Sequence, residues 1–174
     1  MNVAIGQSIN AEIYLEDDYS QSLTSQYLEQ VNSLDWTSWF QNWLIYLSDI
    51  TDIPQECELS LKLTSDRQIQ KYNRQYRDMD KPTDVLAFAA MESELVLPDN
   101  FAEPIYLGDI IISLDTAICQ AIEQKHPLTV ELAWLSTHGL LHLLGWDHPD
   151  SNSLERMLAQ QGALIEYVNT LHSN

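Results

Sequence analysis

Hydrophobic and polar positions alternate along some segments and recur with a helical period along others, and this division predicts the elements of the chain. Residues 9–16 and Glu56–Thr64 alternate with a period of two, which is typical of half-buried strands, the first of them at a sheet edge. Short apolar runs at Val85–Ala89 and at residues 106–112 predict two further strands, of which we expect Val85–Ala89 to be buried.

Helical periodicity predicts the remaining elements. Residues 23–47 form an aromatic-rich pattern that breaks near 33–35 into two helices, and their aromatic side chains are expected to face a core. Further helices are predicted from Ser65 or Thr64 to about Tyr76, from Ser113 to about Lys125, over residues 129–144, and from Asp150 or Ser151 to about Leu171. Residues 91–104 are irregular and acidic, and they are expected to form a loop.

This order of elements predicts an α/β or α+β fold, with a small mixed sheet of about four strands packed with five or six helices. A chain of 174 residues suits one domain, so we expect 1–174 to be a single unit. Within it, 1–50 would supply a strand and the aromatic helices, 56–150 the motif-bearing core, and 151–174 a C-terminal helix. The chain lacks a long apolar run and a secretory pattern, and its two cysteines have no metal-type spacing, which favours the cytoplasm and no membrane partner.

The charge distribution restricts how a polyanion can approach. A net charge of −18 argues against nucleic-acid binding, because an acidic surface repels phosphates. However, six of the eight basic residues lie between positions 62 and 81. This window either admits a phosphate backbone or is the solvated face of a helix.

The segment 138–148 contains the most informative chemistry. His138 and His142 are four residues apart on a predicted helix, so their rings project from one face. Gly145 can end the helix in a left-handed turn that returns His148 to the same point. Three imidazoles with an open fourth position are typical of a catalytic zinc site with one ion per chain. The other two histidines, His126 and His172, have no such partners and are expected at the surface.

The same spacing occurs in metzincin proteases, which carry a glutamate directly after the first histidine as general base. Here that position is Gly139, which argues against ordinary peptide hydrolysis. A bound metal would then have to lower the pKa of its own water.

Three segments together resemble the YbeY family of bacterial endoribonucleases. Residues 138–148 are similar to its histidine signature, residues 73–88 to its Tyr-Arg-x-x-Asp, Pro-Thr and Val-Leu-Ser-Phe motif, and residues 107–110 to its Gly-Asp-Ile strand. Ala87 replaces the usual serine, and Trp146 stands where tyrosine is common.

The resemblance implies a zinc-dependent endonuclease that acts on single-stranded RNA in 16S rRNA 3′-end maturation and ribosome quality control. Its partners would be rRNA precursors and small-subunit ribosomal proteins. It also implies a functional arginine at Arg77, whose guanidinium can hold phosphate oxygens and stabilise developing charge. The alternative for Arg77 is a structural ion pair with one of three nearby acids, Asp78, Asp80 or Asp84.

Four further residues are candidates for supporting roles. Arg74 and Lys81 are expected to contact the substrate's phosphates. Asp147 is expected either to orient a ligand ring from behind or to be an exposed turn residue, and Asp109 is a second candidate for the orienting role.

Two other functions remain open at this stage. A metalloprotease-like hydrolase would use the same ligands with a carboxylate from elsewhere. A non-catalytic ribosome-assembly factor would use zinc to stabilise its fold, and its acidic surface would meet a basic ribosomal protein.

Overall fold

A computed structural model describes residues 8–90 and 103–171, which contain one sheet and its surrounding helices. The strands are β1 (Asn10–Asp17), β2 (Glu56–Thr64), β3 (Val85–Ala89) and β4 (Ile105–Ser113). The helices are α1 (Ser25–Asn32), α2 (Trp36–Leu47), α3 (Asp66–Arg77), α4 (Leu114–Gln124), α5 (Leu128–Leu143) and α6 (Ser151–Leu171). Most of the predicted loop at 91–104, and His172, lie outside the described residues.

The sheet is mixed, as predicted, and its strand order is β1-β2-β4-β3. Strands β1, β2 and β4 run parallel, whereas β3 pairs antiparallel with β4. Strand β1 therefore lies at one edge, as expected, and β3 at the other. The prediction of a buried β3 is wrong, because only Leu86 in this strand is buried and the other four residues are partly exposed. A short apolar run cannot distinguish a central strand from an edge strand whose open side lines a cleft.

The main core lies between one face of the sheet and the helices that pack on it. Phe40, Trp43 and Leu44 are fully buried there, so the aromatic face of α2 is confirmed as core. The indole Nε1 of Trp43 donates a hydrogen bond to the carbonyl of Leu164 in α6 at 3.1 Å. The predicted break between α1 and α2 is also observed, and Asp35 caps α2 by accepting a hydrogen bond from the Ser38 backbone.

The opposite face of the sheet is covered by α3. Ile69 of α3 packs there with Leu86 and Ile111 in a second, smaller cluster. Ser65, not Thr64, is the N-cap, and its hydroxyl accepts a hydrogen bond from the Gln68 backbone. The helix ends at Arg77, which brings this side chain beside β3.

Helix α5 packs closely on β3 and β4 because it carries a glycine at the contact. A Cβ atom on Gly139 would lie only 2.8 Å from Cγ2 of Ile110 in β4. The position at which the proteases carry their glutamate therefore faces the sheet and has no room for a side chain. Within the described residues, no helix has both the length and the apolar character needed to cross a membrane.

Candidate metal centre and its cleft

The predicted convergence of three histidines is observed. His138 and His142 lie one turn apart on α5, partly buried, and their Nε2 atoms are 3.1 Å apart. The ring of His148 lies 5.6 Å and 5.3 Å, centroid to centroid, from those two rings. In the part of the chain that the structure describes, these three residues form the one group of metal-ligand type, with ligand atoms within 4.8 Å of one another.

The turn after α5 explains how His148 reaches the other two. Gly145 has a φ of 88°, a left-handed conformation that glycine adopts readily. Its N–H donates to the carbonyl of His142 at 3.0 Å, and the Trp146 N–H donates to that of Leu141 at 3.0 Å. These two bonds form a Schellman motif, which ends the helix and reverses the chain.

The histidine geometry fits a transition-metal ion such as zinc. Tetrahedral zinc with bonds of about 2.0–2.1 Å needs ligand nitrogens roughly 3.3 Å apart. The Nε2 atoms of His138 and His142, at 3.1 Å, are close to this separation. Burial, followed by the neighbouring His138 and His148, lowers the pKa of His142. This favours the neutral imidazole, which is the form that binds a metal. Imidazole ligands also suit nickel, copper and iron.

A glutamine that the sequence reading missed lies directly behind His138. Oε1 of Gln161 is 3.1 Å from Nδ1 of His138, and the side-chain nitrogen donates to the Trp134 carbonyl at 3.2 Å. Gln161 is fully buried on α6. Its signal in the sequence is a polar residue at a position where helical spacing predicts an apolar one.

His138 and His142 open onto a cleft of about 730 Å³ between α5, the turn after it and the edge strand β3. Arg77 lines this cleft with His138 and His142. Its Nη2 donates to the Ala87 carbonyl at 2.9 Å, and its guanidinium carbon lies 5.4 Å from the centroid of the Phe88 ring. These contacts restrain the guanidinium, and within the described residues its other N–H donors bond to no protein acceptor.

None of the three expected acids forms an ion pair with Arg77 among the described residues. Asp80 lies 3.9 Å from Arg74, and Asp78 adopts the left-handed conformation that ends α3. The Asp84 carboxylate accepts hydrogen bonds from the Val85 backbone and from Gln120. The structure therefore does not contain the ion pair considered as an alternative for Arg77.

The four supporting candidates are divided between the cleft and other surfaces. Asp147 lines the cleft, but its carboxylate accepts a hydrogen bond from the His148 backbone N–H at 2.8 Å and not from a ligand ring. Arg74 and Lys81 are exposed and do not line the cleft.

Asp109 lies on the opposite face of the sheet from the histidines. Its carboxylate accepts a hydrogen bond from the Tyr106 hydroxyl at 2.7 Å. Along β4 it alternates with Ile110, which packs on the α5 side. The expectation that Asp109 orients a ligand ring is therefore wrong, because adjacent strand residues point to opposite faces.

Comparisons with known proteins identify the family of this chain. A family model described as Endoribonuclease YbeY matches residues 21–169. A protein named Endoribonuclease YbeY from Trichormus variabilis is 50% identical over 159 residues, with 90% of each chain covered. Another so named, from Acaryochloris marina, is 54% identical over 141 residues, with 80% of each chain covered.

A solved structure is similar in fold. The solution structure of TM1509 from Thermotoga maritima aligns with a TM-score of 0.51 at 22% identity, covering 95% of this chain and 93% of that one. At this identity the likeness concerns the fold alone, whereas the family match and the close relatives span most of the sequence. The chain therefore belongs to the YbeY family of endoribonucleases.

Proposed function

We propose that this protein is a zinc-dependent endoribonuclease that cleaves single-stranded RNA during 16S rRNA 3′-end maturation. The observation that carries the proposal is the convergence of three imidazoles at a cleft that His138 and His142 line together with Arg77. Among the described residues, no acid forms an ion pair with this arginine. Family membership supports a nuclease, and the ligand set supports a catalytic metal with an open position.

His138, His142 and His148 would hold the metal. When bound, zinc supplies a Lewis acid and lowers the pKa of a coordinated water toward neutrality. The protein contributes ligand geometry through the helix and the Schellman turn. It also contributes the partial burial of His142, which lowers the pKa of this imidazole and favours its neutral form.

Arg77 would bind the phosphate that is cleaved. The Ala87 carbonyl and the Phe88 ring hold its guanidinium at the wall of the cleft, so little side-chain freedom is lost when a phosphate binds. A guanidinium stays protonated at all relevant pH values, so its role is to stabilise negative charge and not to accept a proton. Arg74 and Lys81, which are exposed outside the cleft, would contact phosphates further along the strand.

The lining of the cleft supports a single-stranded substrate. Trp146 lines the cleft next to the metal-binding turn and also packs against the core, which fixes its indole. An indole held in this way can stack on an unpaired base, whereas bases in a duplex are already stacked on each other.

The strong negative charge supports protein partners as well. An acidic surface is complementary to basic ribosomal proteins, and the small subunit would present them around its rRNA precursor. The proposal therefore names small-subunit proteins as partners. It also includes a cytoplasmic location and a contribution to ribosome quality control. The same charge favours the second candidate, a ribosome-assembly factor in which the metal only stabilises the fold.

Zinc content and RNA cleavage measured on matched variants test the proposal. His142→Ala should lose zinc and cleavage, whereas His126→Ala, in which the replaced histidine lies outside the cleft, should keep both. Arg77→Ala should keep zinc and lose cleavage, with only partial recovery in Arg77→Lys. Cleavage by metal-free His142→Ala would overturn the proposal. Full association with small-subunit precursors, combined with no metal-dependent cleavage by the parent protein, would favour the assembly factor.

A further inference from the structure

A buried amide behind the metal site is unusual in its surroundings. Gln161 lies on the face of α6 that also carries Met157, Leu164 and Val168, all of them buried apolar residues. Burying an amide without partners is costly, so its two hydrogen bonds are needed to offset the loss of water. These bonds join α6 to two positions one turn apart on α5, Trp134 and His138.

The orientation of this amide follows from its partners. The Trp134 carbonyl can only accept a hydrogen bond, so the NH₂ group of Gln161 must face it, at 3.2 Å. The amide oxygen of Gln161 must then face Nδ1 of His138, at 3.1 Å. An amide oxygen can only accept, and therefore Nδ1 of His138 must carry the proton.

The position of this proton determines what the other ring nitrogen can do. In a neutral imidazole with Nδ1 protonated, Nε2 presents a lone pair. That Nε2 atom is the one that faces Nε2 of His142 at 3.1 Å. The ring is therefore held in the tautomer that a metal ligand requires before any metal binds.

We propose that Gln161 is the positioning residue of the metal site, and that it selects the His138 tautomer and thereby raises metal affinity. The inference rests on the proposed metal site and adds a residue to it. Asp147 does not have this role, because its hydrogen bond goes to the backbone of His148. Residues that accept a hydrogen bond from the second ring nitrogen of a metal-binding histidine typically contribute 10–100-fold in metal affinity. We expect a loss of that order when the Gln161 acceptor is removed.

Three variants separate a positioning role from simple packing. Gln161→Leu removes the acceptor and replaces the amide by an apolar side chain of similar size. Gln161→Glu keeps an oxygen toward His138, and in its protonated form it can still donate to the Trp134 carbonyl. Gln160→Leu makes the same change one residue earlier, at a glutamine whose side-chain nitrogen is buried without a hydrogen-bond partner among the described residues.

Two measurements on each variant provide the test. The first is zinc affinity by competition with a chelator of known affinity. The second is the tautomer of His138 in metal-free protein, read from ¹⁵N chemical shifts of the ring at mildly alkaline pH. We expect Gln161→Leu to bind zinc 10–100-fold more weakly and to lose the single Nδ1–H tautomer, while Gln161→Glu and Gln160→Leu stay within a few-fold of the parent protein.

The possible results distinguish this inference from the proposed function. If the parent protein binds zinc and Gln161→Leu binds it equally well, the inference is wrong and the metal site stands. A parent protein with a mixed or Nε2–H tautomer at His138 also overturns it. If the parent protein takes up no transition metal, the metal site itself fails, whatever the tautomer shows. Where Gln161→Leu does not fold, the parent tautomer and the affinity of Gln161→Glu still decide the question.

Discussion

The contact between Gly139 and the sheet yields a prediction in which one substitution has opposite effects at two positions. Gly139 and Gly162 both lie inside helices, and replacing a helical glycine by alanine gains about 1 kcal/mol of helix propensity. Around Gly162, apart from its two chain neighbours and the nearby backbone of its own helix, no atom of the described residues lies within 4 Å of an added Cβ. Gly162→Ala should therefore raise the free energy of unfolding by up to about 1 kcal/mol.

At Gly139 the same Cβ would meet three carbons of Ile110, at 2.8, 3.2 and 3.2 Å. Isoleucine is branched at Cβ and has few alternative rotamers, so this side chain cannot move aside easily. Overpacking of a core typically costs about 1–3 kcal/mol, which offsets or exceeds the gain in propensity. Because the propensity gain is common to both variants, the steric cost is the difference between them, about 1–3 kcal/mol.

Urea denaturation with a chelator present measures this difference, because the chelator removes any contribution from metal binding. We expect Gly139→Ala to be less stable than the parent protein and Gly162→Ala to be more stable. In thermal unfolding of a chain of this size, each kcal/mol of change in the free energy of unfolding corresponds to roughly 2–4 °C in Tm. Equal stabilisation by both substitutions would refute the close packing of α5 on the sheet, and with it the explanation for the missing glutamate.

Other groups give predictions that are independent of this contact. Cys119 is exposed, whereas Cys57 is buried and its burial raises the pKa of the thiol to about 11. A thiol reagent should therefore label one cysteine per native chain and two in urea. Labelling of both cysteines in the native state would contradict the fold. Burial also raises the pKa of Glu131, so its ionisation destabilises the folded chain as pH rises above the usual carboxyl range. Glu131→Gln should therefore be more stable than the parent protein at neutral pH, with the advantage lost in acid, and a pH-independent difference would refute this. Gly145→Ala should cost about 1–2 kcal/mol of stability, since its φ is left-handed, and an unchanged urea midpoint would contradict the Schellman turn.

Local signals in the sequence predicted the elements well. The break between α1 and α2 coincides with the cap at Asp35, and Ser65 and Ser113 cap α3 and α4 where a side-chain oxygen was expected. The spacing of the histidines and the position of Gly145 were sufficient to predict their convergence. All of these features depend on residues within a few positions of one another.

Features that depend on distant contacts were not predictable in the same way. The order of the strands, and the place of β3 at an edge, depend on pairing between segments far apart in sequence. The expectation that Asp109 orients a ligand ring was wrong because strand alternation gives two faces without indicating which one meets α5. Gln161 is a polar residue on an apolar helix face, and its purpose becomes apparent only when α6 lies against His138.

The central claim is that three imidazoles bind one metal ion in a cleft shared with Arg77. A crystal structure of the purified protein, with anomalous diffraction recorded on both sides of the zinc absorption edge, tests it most directly. We predict one zinc peak per chain, about 2.0–2.1 Å from a ring nitrogen of His138, His142 and His148, with a fourth position open to the cleft. Rings that point apart around an empty site in protein crystallised with zinc would contradict the claim.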